Sequence, residues 1–202
     1  MTNDIPRRKD GGIKFSFRPS TEEELKACLS DPLWRICSGA LYKIIIKGDD
    51  DKDGLIMEFK PNRAQKRLIA SLWHRNVILK ARQLGFTTLV CIIWLDTALF
   101  SENVRCGIIA QDREAAEAIF RDKVKFAYQN LPELLRLRMP LARDSASELL
   151  FAHNNSSIRV ATSMRSGTIH RLHVSEFGKI CAKYPDKAVE VITGSIPAVP
   201  LN

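Results

Sequence analysis

Beyond Pro61, short apolar runs alternate with segments whose apolar residues have helical spacing. Apolar runs bounded by polar turns are typical of buried strands, and apolar residues three or four positions apart are typical of helices. The pattern predicts a helix over 64–74, a strand over 77–80, a helix over 87–100 and a strand over 104–110. Such alternation favours an α/β fold with a mostly parallel sheet flanked by helices.

The same alternation continues along the second half of the sequence. Asp112 stands where it can cap a long amphipathic helix that reaches about residue 130. The next elements predicted are an irregular segment over 131–147, a hairpin of 148–152 with 158–162, a strand over 171–174 and a helix over 186–192. Pro197 and Pro200 interrupt the last helical pattern.

The residues before Phe59 have a different pattern and are predicted to form an arm and lead-in segment over 1–58. Residues 1–20 are polar and punctuated by Gly and Pro, which predicts a loose arm. Residues 20–24 have the composition of a capped helix start, which predicts a small N-terminal helical appendage. Residues 41–46 form either a strand or a short buried helix.

An acidic cluster at 49–54 nearly copies a calcium-binding loop. Asp49, Asp51, Asp53 and Gly54 match its first, third, fifth and sixth positions, but Lys60 replaces the bidentate Glu required at the twelfth. This mismatch favours a solvated turn over a metal site.

Composition and charge narrow the class of protein. The 202 residues, 45% of them hydrophobic, are enough for one substantial core. The net charge of +8 favours polyanionic partners such as nucleic acid or nucleotide. The five cysteines are scattered without a C-x-x-C pair, which argues against a disulfide framework or structural zinc and fits a reducing cytosol. The longest apolar run, 89–100, is too short to cross a bilayer.

The segment around Gly85 has the order of a phosphate-binding loop: an apolar run, a tight turn and a helix start. In the pattern G-x-x-x-x-G-K-[ST], backbone N–H groups hold the phosphates, Lys contacts their outer oxygens and the hydroxyl reaches Mg²⁺. Gly85 and Thr87 match, whereas Phe86 stands at the Lys position and Lys80 at the first Gly position. Lys80 and Arg82 can supply the displaced positive charge. The alternative is an ordinary basic strand-to-turn junction.

A second candidate position follows the predicted strand over 171–174. Nucleotide hydrolysis needs a group near the γ-phosphate that orients water, and a carboxylate at a strand end can serve. Glu176 occupies such a place, and Ser175 stands where a magnesium-binding Asp would normally precede it. No acidic residue lies between Leu149 and Ser175, so Glu176 is an isolated carboxylate in a cationic segment. The alternative is a solvated turn residue.

Taken in order, these motifs resemble those of the ATPase domain of the terminase large subunit, the DNA-packaging motor of tailed bacteriophages. Residues 61–65 resemble the segment before the family's phosphate loop, 80–88 its deviant loop, 108–112 a helicase-like motif and 172–176 its hydrolytic strand. The resemblance extends from about residue 31 to residue 202. It implies a P-loop NTPase fold, with 59–202 as an ATPase core that is incomplete at its C-terminus.

The resemblance also implies a role for each matching residue in binding ATP. Those residues are Gln65, Lys80, Gly85, Phe86, Thr87 and Thr88. Gln65 would contact adenine, and Lys80 with the backbone of the loop would hold the phosphates.

The implied catalytic residues are Glu176, which would activate water, and Arg82, which would act in cis as a charge-stabilising switch. Two residues lie at the implied Mg²⁺ position. Thr87 would reach the ion, and Ser175 occupies the position of the usual carboxylate. Phe86 and Ser175 depart from the family pattern and are expected to affect hydrolysis more than binding.

The resemblance further implies partners and a location. The partners are double-stranded DNA, the terminase small subunit, the portal protein and, in the full-length subunit, other copies of itself. The location is the host bacterial cytoplasm, without a membrane anchor. The family continues with a nuclease domain, so the resemblance implies that this chain is truncated. Because no acidic cluster has nuclease spacing, we expect that it does not cleave DNA.

Two alternatives stay open. One is a catalytically impaired nucleic-acid-binding or assembly module that retains the ATPase fold, favoured by Phe86 and Ser175. The other is a fragment of a helicase-type ATPase, because that class shares the same core.

Overall fold

The computed structural model describes residues 5–47, 54–81, 83–164 and 167–200. Its helices are α1 (Glu22–Ser30), α2 (Pro32–Cys37), α3 (Arg63–Ser71), α4 (Phe86–Phe100), α5 (Arg113–Ile119), α6 (Phe126–Gln129), α7 (Glu133–Arg138), α8 (Phe177–Lys183) and α9 (Pro185–Glu190). Its strands are β1 (Lys43–Lys47), β2 (Gly54–Glu58), β3 (Arg105–Ile109), β4 (Leu141–Asp144), β5 (Glu148–Phe151), β6 (Ser157–Ala161) and β7 (Arg171–Val174). The π-helical segments Phe120–Lys125 and Val191–Ser195 continue α5 and α9.

The main sheet has five strands in the order β4-β5-β6-β3-β7. Strand β3 pairs in parallel with β6 and β7, whereas β4, β5 and β6 pair antiparallel. The α/β class with a sheet flanked by helices is therefore confirmed, but the sheet is mixed and not mostly parallel. The antiparallel part arises because the predicted hairpin places β5 directly beside β6.

Helix α4 forms the centre of the larger apolar core. It packs on β3 and β6, and its buried residues lie around most of its circumference. Such a helix must be enclosed by other elements, and α2 and the π-helical segment after α5 also contact it. A smaller apolar cluster, which includes Ile109, Ile180 and Val191, joins the sheet to α8 and the end of α9.

A polar network lies inside the larger core. The carboxylate of Asp96 on α4 accepts two hydrogen bonds from the guanidinium of Arg35, at 2.8 and 2.7 Å, and one from the Tyr42 hydroxyl at 2.7 Å. Arg35 also lies over the ring of Phe100, 4.0 Å from its centroid. Burial, reinforced by Asp96, raises the pKa of Tyr42 well above its usual value. The network attaches α2 and the start of β1 to α4.

The N-terminal residues pack onto α1 and α2. Asp31 accepts hydrogen bonds from the Ile13 N–H at 2.7 Å and from Arg8 at 3.0 Å, and it caps α2. Ile13 is 1% exposed. The prediction of a loose arm over 1–20 is therefore wrong for its described residues. Composition alone could not show that Asp31, later in the chain, holds this segment. The predicted helix start is confirmed: Thr21 and Glu24 form a capping box.

The strand predicted over 77–80 is wrong. These residues belong to neither a strand nor a helix, and Val77 and Leu79 are both 100% exposed. A strand needs a neighbour to satisfy its N–H and C=O groups, and within the described ranges none is paired with this segment. The apolar run alone could not show whether a neighbour is present.

Most other elements lie where the sequence pattern predicts them, with ends shifted by one to three residues. The elements not predicted are α2, β2, α7, β4 and α8. Of the strand and the short buried helix left open over 41–46, the strand is the one formed: it corresponds to β1, which pairs antiparallel with β2. Of the acidic cluster, residues 49–53 lie outside the described residues, so its predicted solvated turn stays a prediction. Across the described ranges, every helix is too short or too polar to cross a membrane.

We predict that Asp96→Asn destabilises the fold by about 3–5 kcal/mol, because it leaves the buried Arg35 without its counter-ion. The free energy of unfolding from urea denaturation measures this loss. Glu117→Gln is the matched control, since it removes an exposed ion pair with Arg113 and should leave the stability almost unchanged. Equal losses in both variants would contradict the structural role of Asp96.

Candidate functional site

Gly85 begins α4 in a conformation that favours glycine. Its φ of 69° and ψ of 20° lie in the left-handed region, where a Cβ is unfavourable. A Cβ at this position would also lie only 2.8 Å from Nε2 of Gln65. Both the backbone angle and the available space therefore require glycine at the turn that leads into the helix.

The amino end of α4 is suited to an anion. No side chain caps it within the part of the chain that the structure describes, and its first turn, Phe86 to Leu89, contains no acidic residue. Backbone N–H groups at such an end carry a partial positive charge and point along the helix axis. Phe86 is 9% exposed, so its ring belongs to the core. Thr87 and Thr88 are both partly buried in the same turn.

Lys80 and Glu176 meet across the site. The Lys80 ammonium lies 3.2 Å from a carboxylate oxygen of Glu176, although the two residues are 96 positions apart. The side chain of Lys80 is 24% exposed and that of Glu176 is 52% exposed. An ion pair this accessible contributes only about 0–1 kcal/mol to stability, so either side chain can exchange its partner for another group.

Two hydroxyl groups meet beside this ion pair. Oγ1 of Thr87 and Oγ of Ser175 lie 3.4 Å apart, and Ser175 is 5% exposed. Neutral hydroxyls fit Mg²⁺ only weakly, because this ion prefers carboxylate and phosphate oxygens and keeps several waters. No group of three metal-binding His, Cys, Asp or Glu residues occurs in the described ranges. The site thus fits an ion that arrives with phosphate oxygens and not one held by the protein alone.

Gln65 connects α3 to the turn at Gly85. Its amide nitrogen donates to the Gly85 carbonyl at 2.8 Å, and its amide oxygen accepts from the Asn62 N–H at 2.9 Å. The side chain of Asn62 reaches the Leu84 carbonyl at 3.3 Å. Both ends of the Gln65 amide are thus engaged within the protein. The contact of Gln65 with adenine stays a prediction.

Among the residues that the structure describes, two that are neither Gly nor Asn have left-handed backbone angles, and both lie beside the site. Gln83 has a φ of 62° and Glu176 a φ of 54°. Such angles cost an ordinary residue about 1–2 kcal/mol, whereas Asn adopts them more easily. Strained backbone tends to occur at functional positions, which makes both residues informative.

His173 is a neighbour of the site that sequence reasoning did not select. It lies on β7 between Leu172 and Val174, whose side chains join the smaller apolar cluster, so His173 faces the other side of the sheet. Its Nε2 is buried without a hydrogen-bond partner among the described residues. Burial lowers the pKa of His173 to about 4, and the charge of Lys80 acts in the same direction. An ionisable residue between apolar neighbours in a strand, three positions before Glu176, was the available signal.

The structure therefore brings together most residues that the sequence selects. Lys80, five residues before Gly85, contacts Glu176, and Thr87, directly after the turn at Gly85, contacts Ser175. Ser175 and Glu176 directly follow β7. Phe86 and Thr88 lie in the first turn of α4. The predicted switch residue Arg82 lies outside the described residues, so its role stays a prediction.

Compared with known proteins, the chain matches no family model and no curated protein sequence. The geometry and chemistry of the residues therefore have to support any functional interpretation.

We predict that His173 makes the fold lose stability as the pH falls from about 6.5 towards about 4. In that interval the unfolded chain binds a proton at this imidazole that the folded chain excludes, so acidification favours unfolding. The thermal midpoint of His173→Leu should therefore fall less than that of the unchanged protein between about pH 7 and about pH 5. His74→Leu, at an exposed histidine, controls for the loss of an imidazole. An identical pH response in all three proteins would contradict the prediction.

Proposed function

We propose that this chain is the ATP-binding and ATP-hydrolysing motor domain of a viral DNA-packaging terminase large subunit, with a P-loop NTPase core. The observation that carries the proposal is the contact between Lys80 and Glu176, at 3.2 Å. The two residues come from the two segments that the sequence selects for phosphate binding and for hydrolysis. A second contact, between Thr87 and Ser175, joins the same two segments.

In the proposed site, the triphosphate lies at the amino end of α4. The backbone N–H groups after Gly85 contact its oxygens, and the fixed glycine turn keeps them in position. Lys80 replaces the ammonium group that Phe86 cannot supply. The accessible Lys80–Glu176 pair favours this exchange, because its loss costs little and phosphate is a stronger partner for the ammonium group.

The exchange also leaves Glu176 free to orient water. A carboxylate within reach of the γ-phosphate can accept a hydrogen bond from the attacking water and hold it in line. The hydroxyls of Thr87 and Ser175 would contact Mg²⁺ directly or through water. Mg²⁺ supplies charge neutralisation of the phosphate oxygens when it is bound. Arg82 is proposed as the cis charge-stabilising residue on the family resemblance alone.

The proposed partners follow from the resemblance and from charge. A net charge of +8 suits double-stranded DNA. Contacts with a terminase small subunit, a portal protein and further copies of the large subunit belong to the same proposal, as does the cytoplasm of a bacterial host.

A second candidate function is a module that binds nucleic acid or assists assembly without hydrolysing ATP. The observation that favours it is Ser175, which contributes a hydroxyl where a metal-binding carboxylate is needed. A helicase-type ATPase would use the same site. Measurements of ATP binding and turnover distinguish the non-hydrolysing module from the main proposal.

We predict that Lys80→Ala weakens Mg-ATP binding by about 10- to 100-fold, because a charge-assisted contact with phosphate is lost. Isothermal titration calorimetry measures the dissociation constant. Lys9→Ala removes an exposed lysine of the N-terminal segment and should bind like the unchanged protein. Equal affinities in all three proteins would reject Lys80 as the phosphate ligand.

We predict that Glu176→Gln retains Mg-ATP binding but lowers turnover by about 100-fold or more, because water positioning acts in the transition state. Steady-state phosphate release gives the turnover, and calorimetry confirms binding. Glu102→Gln, at an exposed carboxylate after α4, is the control. Turnover equal to that of the control would exclude Glu176 as the catalyst. An unchanged protein that binds ATP without turnover would favour the non-hydrolysing module.

A further inference from the structure

A cationic surface lies on the side of α3 that faces away from the core. Arg63, Lys66 and Arg67 are all exposed on this helix, and Arg75 is exposed in the turn that follows it. Residues three and four positions apart on a helix are neighbours, so the first three cations lie together. We call these four residues the basic face.

The charge of the basic face is not neutralised within the described part of the chain. None of its four residues has an ion-pair partner there, whereas the nearby Lys60 pairs with Glu58 at 2.7 Å. The sequence contains no Asp or Glu from Phe59 to Leu95. A concentration of like charge destabilises the folded state through repulsion. Binding a polyanion is a common function of such a surface.

An exposed aromatic ring lies next to the basic face. Trp73 is 73% exposed, and its ring centroid is 5.2 Å from that of His74. Asn76 holds this turn, because its side-chain oxygen accepts from the Trp73 N–H at 3.0 Å and its amide nitrogen donates to the Trp73 carbonyl. Trp34, in contrast, is 1% exposed. The turn thus presents a large aromatic side chain to solvent from a defined backbone.

The orientation of the basic face is fixed from the opposite side of α3. Ala64, Leu68 and Ile69 pack against the larger core, and Gln65 donates to the Gly85 carbonyl at 2.8 Å. The helix therefore cannot rotate without losing both apolar contacts and this hydrogen bond. The cations stay directed outwards, beside the aromatic turn.

We propose that the basic face and Trp73 form a binding surface for single-stranded nucleic acid. Cations that track the phosphates, combined with an aromatic ring on which bases stack, are the recognition elements of such surfaces. Trp73 favours unpaired bases, because a base within a duplex has no free face for stacking. The surface shares no residue with the proposed ATP site, so it goes beyond the proposed ATPase function and can be tested independently of it.

Fluorescence anisotropy with a labelled single strand of about 16 nucleotides, and with the matching duplex, tests the surface. Arg63→Glu with Arg67→Glu should weaken single-strand binding by about tenfold or more and lower the salt-dependence slope by about 1.4, as expected for two lost phosphate contacts. Arg136→Glu with Arg138→Glu is the control, since it makes the same charge change on the exposed side of α7. Equal losses in both double variants would overturn the basic face as a specific surface.

Trp73→Ala should weaken single-strand binding by about 5- to 100-fold, whereas Trp73→Phe should retain most of the affinity, because a stacking face remains. The duplex should respond much less to either change. An equal loss for duplex and single strand, or no loss for either, would overturn the stacking role. Failure of the unchanged protein to bind a single strand at low salt would overturn the whole proposal, while leaving the ATP measurements with Lys80→Ala unaffected.

Discussion

The position of helix α4 depends on one carboxylate inside an otherwise apolar core. Asp96 is 3% exposed and is stabilised only because Arg35 and Tyr42 satisfy its two oxygens. Apolar packing is tolerant of small shifts, but a buried charge and its hydrogen-bond donors have to meet within a few tenths of an ångström. The pair therefore fixes how α4 lies against α2 and the start of β1. Its amino end, which begins at Gly85, is positioned by the same constraint.

From that fixed helix, the candidate site is assembled by short-range geometry. The left-handed turn at Gly85 places the start of α4 beside the end of β7, where Thr87 meets Ser175, and Gln65 donates a hydrogen bond to the Gly85 carbonyl. Glu176, also left-handed, directs its carboxylate towards Lys80 as β7 ends. The Gly85 carbonyl is held by the buried Gln65, so the turn that begins α4 is formed before any ligand binds. Preorganisation of this kind reduces the ordering cost of binding.

The sequence predicts the parts of this arrangement that depend on local chemistry. Helix α4 and the end of β7 follow from apolar periodicity and run length, and Gly85 follows from its turn. The segment 77–80 shows where such reasoning fails, because an apolar run forms a strand only where another strand pairs with it. The mixed sheet has the same origin: pairing partners are a property of the whole fold. His173 escaped selection because its lowered pKa comes mainly from burial, with a smaller effect of the Lys80 charge, and both depend on the whole fold.

The balance of charge in the site bears on the two proposed functions. A second carboxylate at Ser175 would help to hold a metal ion, but it would also repel a triphosphate that has not yet brought that ion. With a hydroxyl there, Glu176 is the remaining carboxylate of the selected residues, and Lys80 already compensates it. In the proposed function, this arrangement would favour capture of the nucleotide, whereas turnover would depend on how well the nucleotide's own oxygens retain Mg²⁺. Binding and hydrolysis would then depend on different residues, so a low rate of hydrolysis would be compatible with intact ATP binding.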